Sequence, residues 1–199
     1  MEGERKGMNT KHETTGTIND TIKDFVEKLR DLDNGDIAIL KRNPGNTIAS
    51  SRGVSRIIYR LLPGNVLGRW EEEAYYLIAT LYGLNKDDII TPPPADFGKT
   101  MLKVREYVST ENIDRRFAIL LDSDFNASTG SQAGEGELPY RLRQCVKLAN
   151  SKKVKIDWEE LTLDILSWNK LGKPTQKKWA RSYFGDKNII EESKANKTT

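Results

Sequence analysis

Apolar residues recur at three- and four-residue spacing through most of the chain. That is the period of a helix with one buried stripe. Ile22, Phe25, Val26 and Leu29 predict a helix over residues 19–32, and GDIAILKR at 35–42 predicts a short one stopped by Asn43-Pro44-Gly45. A third is expected over 48–62, with Val54, Ile57, Ile58 and Leu61 on one face and Pro63-Gly64 ending it. Residues 69–82 predict a fourth, with Trp70, Ala74, Leu77, Ile78 and Leu81 inward and Glu71–Glu73 in its first turn, where the helix dipole favours them. Similar stripes mark 96–108, 111–121 and 138–151. No strand-like alternation of useful length and no fixed-period repeat interrupts them.

The most legible stretch is 154–184. Asp157 is a good N-cap, with Glu159 and Glu160 in the first turn after it. Trp158, Leu161, Ile165 and Trp168 follow one face. Gly172 and Pro174 break the chain, and Pro174 suits the first turn of a second helix that Gly185 stops. Trp179, Ala180, Tyr183 and Phe184 make its aromatic side, with Lys177, Lys178 and Arg181 pointing the other way. The two helices are expected to pack as an αα-hairpin.

The fold class that follows is all-α: a compact bundle of about eight or nine helices over 18–185. A division into lobes 18–91 and 95–185 is expected near Pro92–Pro94. Residues 1–17 and 186–199 read as polar tails, and 122–137, rich in Ser, Gly, Asn and Ala, as a long mobile loop.

The net charge of +3 says little, but its distribution says more. Residues 138–187 carry twelve lysines and arginines against five carboxylates, a net +7, so the rest of the chain is acidic. A stretch of that sign is either a solvated helical surface or a face for an anionic partner. Arg52, Arg56 and Arg60 fall at i, i+4 and i+8, a stripe opposite the apolar face of their helix. Nothing acidic in that helix neutralises them. Either another helix supplies carboxylates or phosphates do, and arginine forks match phosphate oxygens well. Arg115 sits with Ile119 on the outer side of the 111–121 helix, with Arg116 at the edge, and Arg143 and Lys147 on the outer face of 138–151.

Motifs for catalysis fail on inspection. Gly98-Lys99-Thr100 resembles the end of a phosphate-binding loop, but the required earlier glycine is Pro93 and no buried strand precedes it. Asp122-Ser123-Asp124 opens like a calcium loop, but Ala127 and Ala133 stand where Gly and Glu are needed. One histidine (His12) and one cysteine (Cys145) leave no zinc site and no His-based triad within the chain. Cys145 shares an apolar face with Leu138, Leu142 and Ala149, the pattern of a buried thiol. Asp157, Glu159, Glu160 and Asp164 could be imagined as paired catalytic carboxylates, with Asp164 two turns from Asp157, but capping and dipole terms explain the first three, and catalysis is not expected. No cofactor is expected. No signal peptide or membrane span is apparent, so the expected location is cytoplasmic.

Several of these stretches, taken in order, resemble a known family. They are GDIAILKR (35–42), WEEEAYYLIATLYG (70–83), RRFAILLDSD (115–124), the long segment 138–169 and KKWARSYF (177–184). Trp158, Leu161, Asp164, Ile165 and Trp168, then Trp179, Ala180 and Phe184, match its most specific positions. The chain is similar to the small subunit of the type I-E CRISPR surveillance complex, Cascade: the CasB family. Ile37 stands where that family commonly has a basic residue, although Lys41-Arg42 is kept. The resemblance implies an all-α protein without catalysis of its own, present as two copies in the complex. It implies contacts with the backbone subunits, the large subunit and the second copy. It also implies binding to the guide RNA–target DNA hybrid and to the displaced single-stranded DNA, with no membrane partner. The residues then expected to meet nucleic-acid backbone are Arg52, Arg56, Arg60, Arg115, Arg116, Arg143 and Lys147, with Lys177, Lys178 and Arg181. The competing readings are a protein-interaction subunit, whose arginines pair with a neighbour's carboxylates, and an ATP-binding helical protein resting on Gly98–Thr100 alone.

Overall fold

The computed structural model describes residues 17–43, 47–48, 51, 53–64, 68–86, 93–125 and 136–185. The two expected tails lie outside them, apart from Thr17, as does most of the 122–137 loop and residues 87–92 of the expected lobe boundary. Among the described residues there are nine α-helices and no strand. They are α1 (Ile18–Arg30), α2 (Asn34–Arg42), α3 (Ser55–Leu61), α4 (Arg69–Tyr82), α5 (Phe97–Arg105), α6 (Thr110–Asp122), α7 (Glu137–Ser151), α8 (Trp158–Leu166) and α9 (Pro174–Phe184).

The helix ends follow the capping chemistry. Thr17 and Asp20 form a reciprocal capping box at α1. Asp33, Asp96 and Asp157 each accept a backbone N–H three residues on, at 2.8, 2.9 and 3.0 Å, and so open α2, α5 and α8. Pro174 opens α9.

The core is organised around α4. Its residues from Glu73 to Tyr82 are all buried, where the sequence pattern predicts a single inward stripe. A helix covered on all sides is the centre of a bundle. α2, α7 and α8 pack against it. Glu73 is the charged exception, and its carboxylate accepts the Ile48 backbone N–H at 3.2 Å. Trp158, Trp168 and Trp179 are buried in the core, while Trp70 is half-buried edge-on to Phe125.

Two expectations are corrected. The helix over 48–62 is shorter, because α3 begins only at Ser55. Ile48 and Ser51 close a turn of their own, and Gly53 sits at φ +84°, a left-handed backbone that a helix does not contain and glycine adopts freely. The α8–α9 pair is also not a simple hairpin packed face to face. α8 lies on α1 and α4, while α9 lies on α5 and α6. Side chains at Asp164 bridge the two.

Candidate nucleic-acid interface

Asp36, in the first turn of α2, is buried and faces α3. Arg60 donates a hydrogen bond to its Oδ2, and Arg56 Nη2 lies 3.6 Å from its Oδ1. Another helix therefore does supply a carboxylate to the arginine stripe. One carboxylate between two guanidiniums leaves a net positive charge. The Arg56 side chain remains 74% exposed and that of Arg60 54%. Tyr59, also exposed, stands between them in sequence. Arg52 lies outside the described residues, and the short α3 removes the helical argument that placed it in one stripe with the other two.

Arg115 and Arg116 are exposed on α6, and Lys147 is exposed on α7. These two helices pack together. Arg143 is half-buried on α7, and its Nε is buried without a hydrogen-bond partner.

On α9, Lys177 and Arg181 are exposed one turn apart. Lys178 is corrected: it turns inward instead of sharing their face. Its ammonium donates to Glu160 Oε1 at 2.6 Å and to Asp164 Oδ1. The periodicity placed it opposite the aromatic side, but α8 carries two carboxylates on the flank between the two sides. Desolvation works against the Lys178 charge, the two carboxylates work for it, and the net shift is upward.

The groups that imitate catalytic chemistry have structural work. Asp164 is buried and also accepts the Trp179 indole N–H at 2.6 Å. Burial pushes its carboxyl up to about 6, against the pull of these hydrogen bonds. Cys145 is fully buried, which pushes its thiol up to about 12, too high for a nucleophile at neutral pH. Gly98 belongs to the first turn of α5, where a Cβ would come 2.5 Å from the Trp179 carbonyl oxygen. The Gly98–Thr100 run is thus a close helix–helix contact, and Thr100 donates to Asp96 O at 3.2 Å. Among the described residues no group of three His, Cys, Asp or Glu is placed to hold a metal, and no helix is long and apolar enough to cross a membrane.

Sequence reasoning missed a second, partly buried network. Arg105 Nε lies 3.0 Å from Asp114 Oδ1, and Tyr183 donates its hydroxyl to the same oxygen at 2.7 Å. The network ties α5, α6 and α9 together. Burial and then the Asp114 carboxylate push the Tyr183 phenol well above its usual range. No signal in the sequence pairs residues this far apart.

Of the cations expected to meet nucleic acid, those described, Lys178 apart, thus fall on the outer sides of α3, α6, α7 and α9. A family model described as CRISPR-associated protein Cse2 matches residues 36–184. A curated CRISPR-associated protein Cse2 of Thermus thermophilus is 30% identical over 132 residues, 64% of this chain and 67% of that protein. The crystal structure of M. ruber CasB is 28% identical, with a TM-score of 0.68 over 88% of this chain and 97% of that one. A chain of a CRISPR RNA-guided surveillance complex shares the fold at 14% identity, with a TM-score of 0.70 over 88% of this chain and 98% of that one. The chain belongs to the family of CRISPR-associated protein Cse2.

Proposed function

We propose that this chain is a non-catalytic, nucleic-acid-binding subunit of a CRISPR Cascade complex. In that role it holds the guide RNA–target DNA hybrid and the displaced DNA strand through backbone phosphates. The observation that carries the reading is the α3 face. Arg56 and Arg60 each turn one guanidinium nitrogen toward the buried Asp36 carboxylate, and their side chains stay more than half exposed. Such a pair presents fork donors at low ordering cost and without base-reading geometry. Sequence would then be read by base pairing, while the protein reads the backbone. Arg115, Arg116, Arg143, Lys147, Lys177 and Arg181 extend the same chemistry on other helices. Lys178 contributes less, because its charge is already shared with α8. Proposed neighbours are the backbone and large subunits and a second copy of this chain, and the proposed location is the cytoplasm.

The test is binding of the purified chain to a labelled single strand and to a duplex across a salt series. Tighter binding to the single strand with a negative salt slope supports the reading. The second reading is a protein-interaction subunit, and the Asp36 pairing favours it, because the arginines have already found one carboxylate within the chain. Arg56→Glu separates the two: loss of complex assembly with strand binding intact supports the interaction reading.

A further inference from the structure

A second group of positive side chains lies away from the α3 face. Lys103 on α5, with Lys152, Lys153 and Lys155 in the turn between α7 and α8, lines a cleft of about 120 Å³. Glu106 is the one carboxylate in its lining, so the cleft carries a net +3. Among the described residues Lys103, Lys152 and Lys153 form no ion pair, unlike Arg60, Arg105 and Lys178. Tyr107 lines the same cleft and is 59% exposed.

The lysine turn is held rigidly from behind. Val154 is buried, and its N–H donates to Ala149 O at 2.9 Å. Asn85 Nδ2 donates to Val154 O, and Thr100 Oγ1 to Lys155 O, each at 3.4 Å. Lys153 sits between these anchors at φ +55°, a left-handed backbone that glycine or asparagine would take with less strain. Lys153 N–H donates to Asn150 O at 3.0 Å, beside the Val154–Ala149 bond, so this left-handed residue is the capping turn that ends α7. That cap sets Lys153 at the cleft that Lys103, Lys152 and Lys155 also line.

We propose that this cleft is a contact site for single-stranded nucleic acid, with phosphates among the lysines and one base stacked on the Tyr107 ring. A positively charged groove with an exposed aromatic is how sequence-tolerant single-strand binding is built. The site rests on the proposed function only for its class of ligand. Its residues, on α5 and the α7–α8 turn, are separate from the α3 arginines.

The test is fluorescence anisotropy with the full chain and a labelled oligothymidylate, across a salt series. It uses the variants Lys103→Gln/Lys152→Gln/Lys153→Gln, Tyr107→Ala, Tyr107→Phe and Arg56→Gln/Arg60→Gln, with circular dichroism to verify helicity. The triple lysine variant is expected to lose roughly 2 from the magnitude of the log–log salt slope, at about 0.7 per neutralised phosphate on a single strand. Tyr107→Ala is expected to weaken the oligothymidylate about five-fold or more, with Tyr107→Phe close to the parent. An abasic strand of the same length should not distinguish Tyr107→Ala from the parent. Lysine and tyrosine variants that bind like the parent while the arginine variant is weakened would overturn the cleft and leave the proposed function standing. No binding by the parent chain to any strand would overturn both. Displacement of the strand by polyglutamate of matched charge and concentration, as effectively as by unlabelled oligothymidylate, would overturn it in favour of an acidic protein partner.

Discussion

Trp179 donates its indole N–H to Asp164 Oδ2 at 2.6 Å, across the turn between α8 and α9. The same carboxylate accepts from Lys178, and the Asp164 backbone carbonyl accepts the Thr175 hydroxyl at 3.3 Å. One buried residue of α8 thus meets three side chains of α9, although the two helices pack mainly on other partners. Asp164→Ala removes the acceptor, strands a buried indole N–H and leaves Lys178 with Glu160 alone. The expected cost is about 2–4 kcal/mol, a fall of roughly 5–15 °C in Tm for a chain of this size. Thermal unfolding by circular dichroism measures it, and a change under about 1 °C would contradict the bridging role.

Asp164 also gives stability a defined dependence on pH. Burial first, and then the nearby Glu160 charge, raise its carboxyl from 3.8 to about 6, against hydrogen bonds from Lys178 and Trp179 that lower it. The folded chain therefore holds this proton more tightly than the unfolded chain does. The resulting contribution is fully present below about pH 4 and is lost as pH rises through about 6. Chemical denaturation of the parent and of Asp164→Asn, from pH 4 to 8, isolates it. The difference in unfolding free energy should shrink from pH 4 to 6 and stay level above 7. A difference that grows with pH would show that the sign is reversed.

Gly98→Ala tests the close approach of α5 and α9. The new Cβ would lie 2.5 Å from the Trp179 carbonyl oxygen and 2.9 Å from Ser182 Cβ. A backbone oxygen cannot rotate away as a side chain can, so one helix must shift. The expected destabilisation is about 1–3 kcal/mol. ATP should raise the melting temperature of neither protein, because this turn is packed against α9 and not open to phosphate. A nucleotide-dependent thermal shift that Gly98→Ala abolishes would restore the ATP-binding reading.

The architecture was legible where local chemistry decides it. The α4 pattern places that helix at 69–82, as found, and Asp157, Pro174 and Gly185 bound α8 and α9 as expected. Periodicity states which side of a helix turns inward, but not which residue of another helix waits there. Asp36 and Arg60 are 24 residues apart, and nothing in either segment announces the pair. Lys178 was misplaced for the same reason, since its partners belong to α8. The α3 boundary failed on one glycine: Gly53 fits a helical pattern as a letter but adopts φ +84°. The lysines of the α7–α8 turn were visible as bulk charge. Their convergence with Lys103 and Tyr107 depends on how α5 meets that turn, which is tertiary.

Arg56→Glu is expected to weaken strand binding across sequences while leaving the bundle intact. Arg56 is the outer and more exposed partner of Asp36, so its removal should cost stability no more than about 0–1 kcal/mol. Each phosphate left without its cation should reduce the magnitude of the single-strand salt slope by about 0.7. Arg60→Glu is different, because it would place a carboxylate against a buried one, and it should melt clearly below Arg56→Glu. Salt-series titration and thermal unfolding of both variants measure the contrast. Equal melting temperatures would mean that Asp36 does not depend on Arg60.

Lys153 sets stability against binding within one residue. Its left-handed backbone costs about 1–2 kcal/mol relative to a residue without a Cβ. Glycine would relieve that strain but adds roughly 0.5–1 kcal/mol of unfolded-chain entropy. Lys153→Gly should therefore unfold at the same temperature or up to about 6 °C higher. It should bind a single strand more weakly, with a shallower salt slope, because one ammonium is gone from the cleft. Lys153→Asn keeps a side chain suited to the left-handed region and also removes the charge, so it should match Lys153→Gly in binding. Two variants that are no less stable and both weaker in binding would show that this lysine is retained for its charge. If both bind like the parent, Lys153 belongs to the turn alone, and the cleft would have to act through Lys103, Lys152 and Lys155.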